Sequence, residues 1–385
     1  MKIGIDAHNL EGQPTGVGRY LLNLLEQWDK FELPQNLRFI LYFKKEIPDL
    51  RLSNLFEKKL LHSKSNAFFM HYLLPKAAKK DRVDILFCPD YLGPVFYQGK
   101  IALTLHDIIY QARPDLYNWP SVWDKILLKK FSKISARKAK VIFVPSEFSK
   151  KEVLREYQVN PEKVFVTPEA ADTSFKQIAD QNKLAEIKKK YQIKDKFILC
   201  VGSIFKRRHL PEIIKAFRSF ASQKLRSEAS KPDDYQFLVV GINHTAPFID
   251  VDSLVEEVNQ KLGRQAVLRQ DYLQGQDLAA LYNAADLLVW LSDYEGFGLP
   301  VLEAMACGLP VVTSSLASLP EVAGPAAIYI QDNSNIEAIS YAIYQGLTNQ
   351  ELRRELTEKG LARAQSFSWP KCAETTLDAL GKAGE

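Results

Sequence analysis

The stretch Glu295-Gly-Phe-Gly-Leu-Pro-Val-Leu-Glu303 places two glutamates eight positions apart, on either side of a glycine-rich turn. The apolar run at 285–292 before it predicts a short, buried strand of a parallel sheet. Pro300 suits the first turn of a helix, Gly308 suits its end, and the apolar run from Leu309 predicts a further strand. The sequence therefore predicts the order strand, tight loop, helix and strand.

This order places both glutamates at the sheet edge where ligands bind in such folds. The loop and the helix N-terminus lie at the carboxyl ends of the strands, where free N–H groups and the helix dipole favour an anion. Two carboxylates do not suit a site for phosphate alone, but they can accept hydrogen bonds from hydroxyl groups. The pattern thus indicates a ligand that combines phosphate with many hydroxyls, such as a sugar nucleotide.

The spacing of the two glutamates resembles the E-x7-E signature of the retaining glycosyltransferases of family 4, which have the GT-B fold. Surface glutamates on an ordinary βαβ unit are the alternative, since the spacing alone is common by chance. The residues between and after the glutamates also match: Gly296, Phe297, Gly298, Pro300, Gly308 and Pro310. The segments Gly4-Ile-Asp-Ala and Pro14-Thr-Gly-Val-Gly-Arg-Tyr20 are most similar to bacterial polysaccharide mannosyltransferases.

The whole chain suits two globular domains of ordinary size, with 385 residues, 46% of them hydrophobic and 25% charged. Apolar runs alternate with helical patterns, which predicts parallel sheets covered by helices. Strands are predicted at 2–6, 38–43, 83–88, 101–106, 140–145, 163–167, 197–202, 236–240, 266–269, 286–290, 311–314 and 327–330. The resemblance implies an α/β GT-B fold, in which the sheets of two Rossmann-like domains face each other across a cleft.

The resemblance also implies how the chain is divided. Residues 1–180 are expected to form an acceptor-binding domain and residues 181–369 a donor-binding domain. A last helix, 370–385, is expected to cross back to the first domain after Phe367-Ser-Trp369. The charged stretch 180–196 is expected to contain the junction, and 223–234 predicts a surface loop.

Candidate site residues in the first half follow two predicted strands. Gly16 and Gly18 allow close backbone approach, and the resemblance implies that their loop presents N–H groups to a donor diphosphate. The third glycine of a dinucleotide fingerprint is missing from this loop. The resemblance implies that His106 contacts the donor sugar, and Asp107 is a candidate to orient its ring or to hold a sugar hydroxyl.

Three consecutive cations, Lys206, Arg207 and Arg208, follow the first strand of the second half. A charge run is usually a solvated loop, but arginine can clamp phosphate oxygens with two parallel hydrogen bonds. The resemblance implies that Arg207 and Arg208 neutralise the leaving diphosphate, although the family pattern has lysine at the second position. Some relatives have arginine where this chain has Ser203, a candidate donor-binding residue.

The remaining site roles also come from the resemblance. Glu303 is expected to bind the ribose hydroxyls, and Glu295 is expected to hold the donor sugar. Backbone groups are expected to complete the donor site, at Phe297, Gly298 and Leu299 for the sugar and at Tyr272 and Leu273 for the base.

We expect neither a metal nor a cofactor, with the nucleotide sugar as substrate. The sequence has no DxD-type carboxylate pair at a predicted strand end, and its four cysteines are too scattered for a zinc site. No obvious nucleophile for double displacement stands out, so the expected reaction is a same-face attack with retention. Four further histidines have no partner at a convincing spacing: His62, His71, His209 and His244.

Basic residues concentrate near 76–82 and 125–140, interleaved or flanked by apolar side chains, although the net charge is only +5. Such patches suit an anionic membrane surface, and the alternative is a solvated helix with its apolar side on the core. No nucleic-acid-binding motif is present.

The N-terminal residues predict a strand rather than a signal peptide, and no apolar run is long enough to cross a membrane. We therefore expect a cytoplasmic protein, peripheral on the inner face of the membrane if the patches bind lipid.

The resemblance favours GDP-mannose as donor and a hydroxyl of a glycan or of a lipid-linked acceptor as target, in polysaccharide or lipopolysaccharide synthesis. A nucleotide-sugar epimerase or a phosphorylase of the same fold is the enzymatic alternative. A catalytically silent, membrane-associated scaffold is the alternative from another class.

Overall fold

The protein is described by a computed structural model covering residues 1–12, 16–119, 121–194, 196–222, 234–271, 273 and 275–385. The chain divides into two compact units, Met1–Glu169 with Ser368–Glu385, and Ala170–Phe367. The loop predicted at 223–234 falls almost wholly outside the described residues. No helix in the described part of the chain combines the length and the apolarity needed to span a bilayer.

The first unit is built on a parallel sheet of seven strands within the described residues, in the order β3-β2-β1-β4-β5-β6-β7. Its central strands are apolar and fully buried because helices cover both faces of a sheet of this kind. The strands are β1 (Lys2–Asp6), β2 (Arg38–Phe43), β3 (Phe56–Leu60), β4 (Ile85–Cys88), β5 (Ile101–Thr104), β6 (Val141–Val144) and β7 (Val164–Val166).

Helices of the first unit connect these strands, and the last helix of the chain joins them. They are α1 (Gly16–Trp28), α2 (Asn66–Phe68), α3 (Leu74–Asp81), α4 (Ile109–Ala112), α5 (Val122–Lys138), α6 (Glu147–Tyr157) and, at the C-terminus, α15 (Trp369–Gly384). The indole N–H of Trp28 on α1 donates to the carbonyl of Ala373 on α15 at 2.8 Å. The C-terminal helix therefore packs within the first unit.

The second unit repeats the design with six strands among the described residues, in the order β10-β9-β8-β11-β12-β13, again all parallel. The strands are β8 (Lys196–Val201), β9 (Tyr235–Val240), β10 (Val267–Gln270), β11 (Leu287–Trp290), β12 (Val311–Ser314) and β13 (Ile328–Ile330). The helices are α7 (Gln181–Lys190), α8 (Leu210–Ala221), α9 (Val251–Leu262), α10 (Gly275–Ala284), α11 (Leu299–Ala306), α12 (Leu319–Ala323), α13 (Ile336–Thr348) and α14 (Gln350–Gln365).

The boundary between the units follows Glu169, earlier in the chain than the position predicted from the sequence. The backbone N–H of Ile178 donates to the side-chain carbonyl of Asn283 at 2.7 Å, and the ring of Phe175 packs against Tyr282. Both partners belong to α10, so the segment after Glu169 already packs on the second unit.

In each sheet the strand order reverses at one place, between β1 and β4 in the first unit and between β8 and β11 in the second. Ligands of open α/β sheets bind at the carboxyl ends of strands beside such a reversal. The two Rossmann-like α/β units with parallel sheets confirm the predicted fold class, and the two reversal points direct attention to the loops that follow these strands.

Candidate functional site

The loop between β11 and α11 carries the first of the two glutamates and is held in a fixed shape. Gly298 has φ +121°, which side chains rarely adopt, and a Cβ there would lie 2.8 Å from a methyl group of Leu319, so both the backbone and the space favour glycine. The hydroxyl of Ser318 donates to the carbonyls of Glu295 and Phe297, at 2.9 and 2.6 Å. Pro300 lies in the first turn of α11, as the sequence predicts.

Glu295 lies in a cluster of cations at the end of β11. Its Oε1 is 3.0 Å from Nε of Arg208 and 4.0 Å from Nε of Arg207, and it accepts a hydrogen bond from the hydroxyl of Ser292 at 2.9 Å. Burial alone would raise the pKa of Glu295, but the charges of Arg208 and Arg207 outweigh it and lower the pKa. Glu295 is therefore a carboxylate at neutral pH.

The two arginines stand on a single 3-10 turn, Lys206–Arg208, that follows β8. Arg208 donates from Nη1 to the carbonyl of Ser203 at 2.7 Å, and its guanidinium lies 4.9 Å from the Trp290 ring centroid. The Arg207 guanidinium lies 4.2 Å from the ring centroid of Phe205. The structure thus brings the arginine pair to a glutamate far away in sequence, and fixes the positions of both guanidinium groups.

His209, directly after the arginine pair, has a partner that sequence spacing did not reveal. Its Nε2 lies 2.8 Å from Oδ2 of Asp293, two residues before Glu295. The expectation that His209 lacks a partner is therefore wrong, because the partner comes from a different strand end. His71, in contrast, packs edge-on against Phe96 and Phe131 in the first unit.

Glu303, the second glutamate, lies inside α11 and is only 4% exposed. Its Oε2 accepts a hydrogen bond from the hydroxyl of Tyr282 at 3.0 Å. No local motif in the sequence marks Tyr282, which stands on the preceding helix α10. The two glutamates therefore occupy different environments, one among cations and the other beside a tyrosine.

The side chains of Phe297 and Leu299 pack into a small apolar cluster, so any polar contact that these residues make comes from their backbone groups. Leu273 is buried. Tyr272, the other residue expected near the base, lies outside the described residues.

In the first unit, the two glycines expected in a loop belong to a helix, since α1 begins at Gly16. Gly16 is exposed and Gly18 is buried. The positive end of a helix dipole lies at its first turn, so the change from loop to helix keeps both glycines in a region that favours an anion. Pro14 and Thr15 of the same segment lie outside the described residues.

His106 follows β5 and is oriented by a carboxylate from another strand end. Its Nδ1 lies 3.0 Å from Oε1 of Glu169, whereas Oδ1 of Asp107 accepts the backbone N–H of Ile109 at 3.1 Å. Glu169 thus takes the ring-orienting position that we expected for Asp107. Burial would lower the pKa of His106, but the hydrogen bond and the charge of Glu169 raise it overall.

A second histidine–carboxylate pair lies at the end of β1, and the sequence pattern did not identify it. Nδ1 of His8 is 2.7 Å from Oδ1 of Asp6, and the pair raises the pKa of His8 against the opposing effect of burial. Asp90, after β4, interacts electrostatically with both His8 and His106, and burial raises its pKa. The common signal is a polar residue at or just after the end of a buried strand: Asp6 ends β1 and Asp90 follows β4 at the reversal of the strand order, and His106 follows the neighbouring strand β5.

Within the described residues, no three His, Cys, Asp or Glu side chains are grouped so that they could hold a metal ion.

Two parallel-sheet α/β units, with an arginine–glutamate cluster at the reversal point of the second, have the architecture of the GT-B glycosyltransferases. Residues 14–175 match the family described as Glycosyltransferase Family 4, and residues 183–363 match Glycosyl transferases group 1. The chain is therefore a glycosyltransferase whose first half belongs to Glycosyltransferase Family 4 and whose second half belongs to Glycosyl transferases group 1.

Similar proteins agree with this assignment. The chain is 27% identical to O-antigen chain mannosyltransferase B of Escherichia coli, over 98% of this chain and 99% of that protein. The fold matches that of WaaG, a glycosyltransferase involved in lipopolysaccharide biosynthesis, with a TM-score of 0.72 and 18% identity over 98% and 99% of the two chains. It also matches HepE from Anabaena in complex with UDP-glucose, with a TM-score of 0.73 and 13% identity over 99% and 100%. The epimerase, phosphorylase and scaffold alternatives are not favoured.

Proposed function

We propose that this chain transfers a mannosyl group from GDP-mannose to a hydroxyl of a glycan or of a lipid-linked acceptor, in the synthesis of a cell-surface polysaccharide or lipopolysaccharide. The mannosyl group and the polysaccharide product are supported by the similarity to O-antigen chain mannosyltransferase B, which extends over almost the entire chain. A nucleotide donor is supported by the fold match to HepE in complex with UDP-glucose.

The observation that carries the proposal is the cluster of Arg207, Arg208 and Glu295. Two guanidinium groups and one carboxylate leave a net positive charge, held in place by aromatic rings and by the Ser203 carbonyl. Departure of a nucleoside diphosphate builds negative charge on its terminal phosphate. A fixed positive cluster stabilises this charge without having to reorganise, which is often the largest contribution to catalysis.

The other roles follow the family resemblance. Glu303 binds the ribose hydroxyls, and Glu295 with the N–H groups of Phe297, Gly298 and Leu299 holds the sugar. His106 and the amides at Gly16 and Gly18 are the contributions of the first unit to donor binding.

The proposed reaction retains the anomeric configuration and needs no metal. The acceptor oxygen attacks the anomeric carbon from the side on which the diphosphate leaves. One carbon–oxygen bond forms as the other breaks, and the acceptor proton passes to an oxygen of the departing phosphate. The arginine pair supplies the positive charge that a metal ion supplies elsewhere.

The experiment is a panel of nucleotide sugars, each scored for transfer to a glycan acceptor and for slow hydrolysis, with and without a chelator. We expect turnover of a GDP-sugar, and we expect this turnover to persist when a chelator is present. By NMR, the product should have the same anomeric configuration as the donor.

Arg208→Ala should reduce kcat by about a hundredfold or more, as losing one charge-stabilising group does in other enzymes. Lys206→Ala is the matched control, because Lys206 is an exposed cation of the same turn. Equal turnover in both variants, or no binding of any nucleotide sugar, would overturn the proposal.

We also propose that the first unit binds an anionic membrane surface. Four apolar side chains in the N-terminal half of α5 are exposed to solvent: Val122 and Trp123 are each 73% exposed, and Ile126 and Leu127 are about half exposed. Lysines 125, 129, 130 and 133 are interleaved with them. Exposed apolar side chains beside lysines are the composition of an interfacial helix.

A second exposed group lies beside α5 in the same unit. Phe68 and Tyr72 are half exposed and stacked, with Nζ of Lys76 5.6 Å from the Tyr72 ring centroid. The ring of His71 contacts Phe131 of α5 as well as the exposed Phe96, which connects the two groups. The two groups of apolar and basic side chains are therefore neighbours, which supports the proposal that both face anionic lipid.

Co-sedimentation with vesicles of phosphatidylglycerol and phosphatidylcholine tests this surface. We expect binding that rises with the anionic fraction, falls with salt, and is lost in a Trp123→Ala, Lys129→Glu, Lys130→Glu variant. A variant with two exposed lysines of the second unit reversed, Lys183→Glu, Lys189→Glu, is the control for total charge. Equal binding by both variants, or none by the wild type, would contradict the proposal.

A further inference from the structure

His209 has a backbone conformation that residues with a side chain adopt only uncommonly. Its φ is +51° and its ψ is +32°, in the left-handed region, where it links the Lys206–Arg208 turn to α8. Glycine or asparagine tolerates this conformation more easily. Histidine is one of the side chains that adopt this region more often than others, so the contacts of the imidazole, and not the backbone conformation, indicate its role.

The imidazole connects the arginine turn to the glutamate loop. Its Nε2 lies 2.8 Å from Oδ2 of Asp293, and the backbone N–H of Asp293 donates to the carbonyl of Arg207 at 2.9 Å. Together with the Arg208–Glu295 ion pair, these contacts tie residues 207, 208 and 209 to residues 293 and 295. The turn that carries both arginines is thus fixed at three points to the loop that carries Glu295.

Asp293 is itself held by a buried polar chain. Its Oδ1 accepts a hydrogen bond from Asn333 at 2.9 Å, and Asn333 accepts one from the hydroxyl of Ser314 at 2.8 Å. The same hydroxyl accepts the backbone N–H of Ser292, whose own hydroxyl donates to Glu295. The position of Asp293 is therefore coupled to that of Glu295 by hydrogen bonds within the second unit.

The charges around the ring determine its protonation. Three carboxylates interact with it: Asp293 at 2.8 Å, Glu212 at 3.8 Å from Nδ1, and Asp332 electrostatically. The cations Lys206, Arg207 and Arg208 precede it on its own element. Burial would lower the pKa of His209, but Asp293 and the other two carboxylates raise it overall.

We propose that His209 is a positioning residue: its ion pair with Asp293 holds Arg207 and Arg208 in place against Glu295, so that donor affinity depends on the protonation of this one imidazole. This inference rests on the proposed function, because it assigns to the arginine pair the binding of the donor diphosphate. It adds a regulation by pH that neither glutamate nor arginine provides.

The direction of the pH effect follows from the raised pKa of His209. The pair is fully formed below about 6.5, the ordinary pKa of histidine, and is lost as the pH rises through the raised value of the folded state. Donor affinity should therefore be highest at slightly acid pH and should decline through neutral and mildly alkaline pH.

The test measures the dissociation constant of an intact nucleotide sugar by calorimetry between about pH 6 and about pH 8.5, a range that spans the titration of histidine. An intact nucleotide sugar is the right probe, because its phosphates are diesters, whereas the terminal phosphate of a free nucleoside diphosphate titrates near about 6. We expect wild-type binding to weaken about three- to tenfold over this range, which corresponds to a pKa difference of about half to one unit between free and bound states.

Two variants distinguish the titration of the His209–Asp293 pair from other effects of pH on donor binding. His209→Asn keeps a side chain that tolerates positive φ but cannot be protonated, so its binding should be weak and nearly independent of pH. Asp293→Asn removes the partner charge and should also flatten the profile. His62→Asn is the matched control, since His62 also has positive φ but is an exposed residue of the first unit; its profile should follow the wild type.

Proton NMR of the histidine rings gives a readout that does not need the donor. The chain has six histidines, so the His209 signal is identified by its loss in His209→Asn. The His209 signal should titrate above about 6.5 in the wild type and at lower pH in Asp293→Asn.

If no nucleotide sugar binds at all, the proposed function fails. If the wild type binds but its pH profile matches that of His209→Asn, or the His209 signal does not move in Asp293→Asn, this inference fails alone.

Discussion

At the scale of single residues, the two glutamates of the E-x7-E segment have the same charge but different surroundings. Glu295 is held by Arg208, Arg207 and Ser292, which lower its pKa against the effect of burial. Glu303 is almost fully buried and accepts the hydroxyl of Tyr282. The two glutamates of the motif therefore have different environments, which supports the proposal that they have separate tasks on the donor rather than acting as an acid–base pair.

Replacing Glu303 by glutamine tests its proposed role on the ribose. In Glu303→Gln the side-chain amide keeps an acceptor for Tyr282 and loses the charge, so the fold should persist while a charged hydrogen bond to the donor is lost. Such a bond contributes about 1.5–3 kcal/mol, so donor affinity should fall roughly ten- to a hundredfold by calorimetry. Glu358→Gln, an exposed change on α14 of the same unit, is the control. Unchanged affinity in Glu303→Gln would remove the ribose role.

The His106–Glu169 pair should make stability depend on pH. Both side chains are largely buried, and the raised pKa of His106 means that their ion pair stabilises the fold fully below about 6.5 and less as pH rises through the folded-state value. Glu169→Gln should therefore lower the free energy of unfolding by about 1–3 kcal/mol at about pH 6. By urea denaturation, the difference from wild type should shrink by about pH 9, and an equal difference at both pH values would contradict the ion pair.

At the scale of elements, the segment around the motif folds as its sequence predicts, because each local signal agrees with the others. Proline stands in the first turn of α11, and Gly298 adopts a positive φ that the tight loop requires. The prediction of strands from the sequence failed where a strand is polar and lies at the edge of its sheet. Strand β3 was not predicted, because Phe56-Glu-Lys-Lys-Leu60 alternates weakly and lies at the sheet edge, where most of its side chains stay partly accessible to water.

Gly298→Ala tests whether the loop needs glycine. The new methyl group would approach Leu319 to 2.8 Å at a φ of +121°, so we expect a loss of about 1–3 kcal/mol in the free energy of unfolding. The control is Gly381→Ala in α15, where a Cβ would meet no described atom within 4 Å. Because alanine favours the helix over glycine, the control should gain about 0.5–1 kcal/mol. Similar effects of the two substitutions would show that the loop has room to relax.

At the scale of the whole molecule, the chain forms two α/β cores and passes between them twice, after Glu169 and after Phe367. The last helix returns to the first unit, where Trp28 donates to Ala373, so cutting the chain after Phe367 would remove a part of the first core. The second unit is continuous in sequence and contains both glutamates and the arginine pair.

Amide hydrogen exchange can therefore show which of the two units binds the donor. A nucleotide at about a hundred times its dissociation constant should stabilise the unit that binds it by about 2.7 kcal/mol. We expect slower exchange concentrated in the second unit, at 196–209 and 287–303, with smaller changes in β1 to β7. Protection confined to the first unit would contradict donor binding by the arginine–glutamate cluster.

The sequence by itself determined the fold class, the strand–loop–helix order around Glu295 and Glu303, and the candidate arginine pair. These depend on local signals: apolar periodicity, glycine where φ is positive, and proline at a helix start. The tertiary structure decided which residue faces which. Glu169 rather than Asp107 pairs with His106, Asp293 pairs with His209, Tyr282 donates to Glu303, and the junction moves to Glu169. Each of these pairs joins residues far apart in the sequence that only parallel strand order and helix packing bring together, and no local pattern encodes that order.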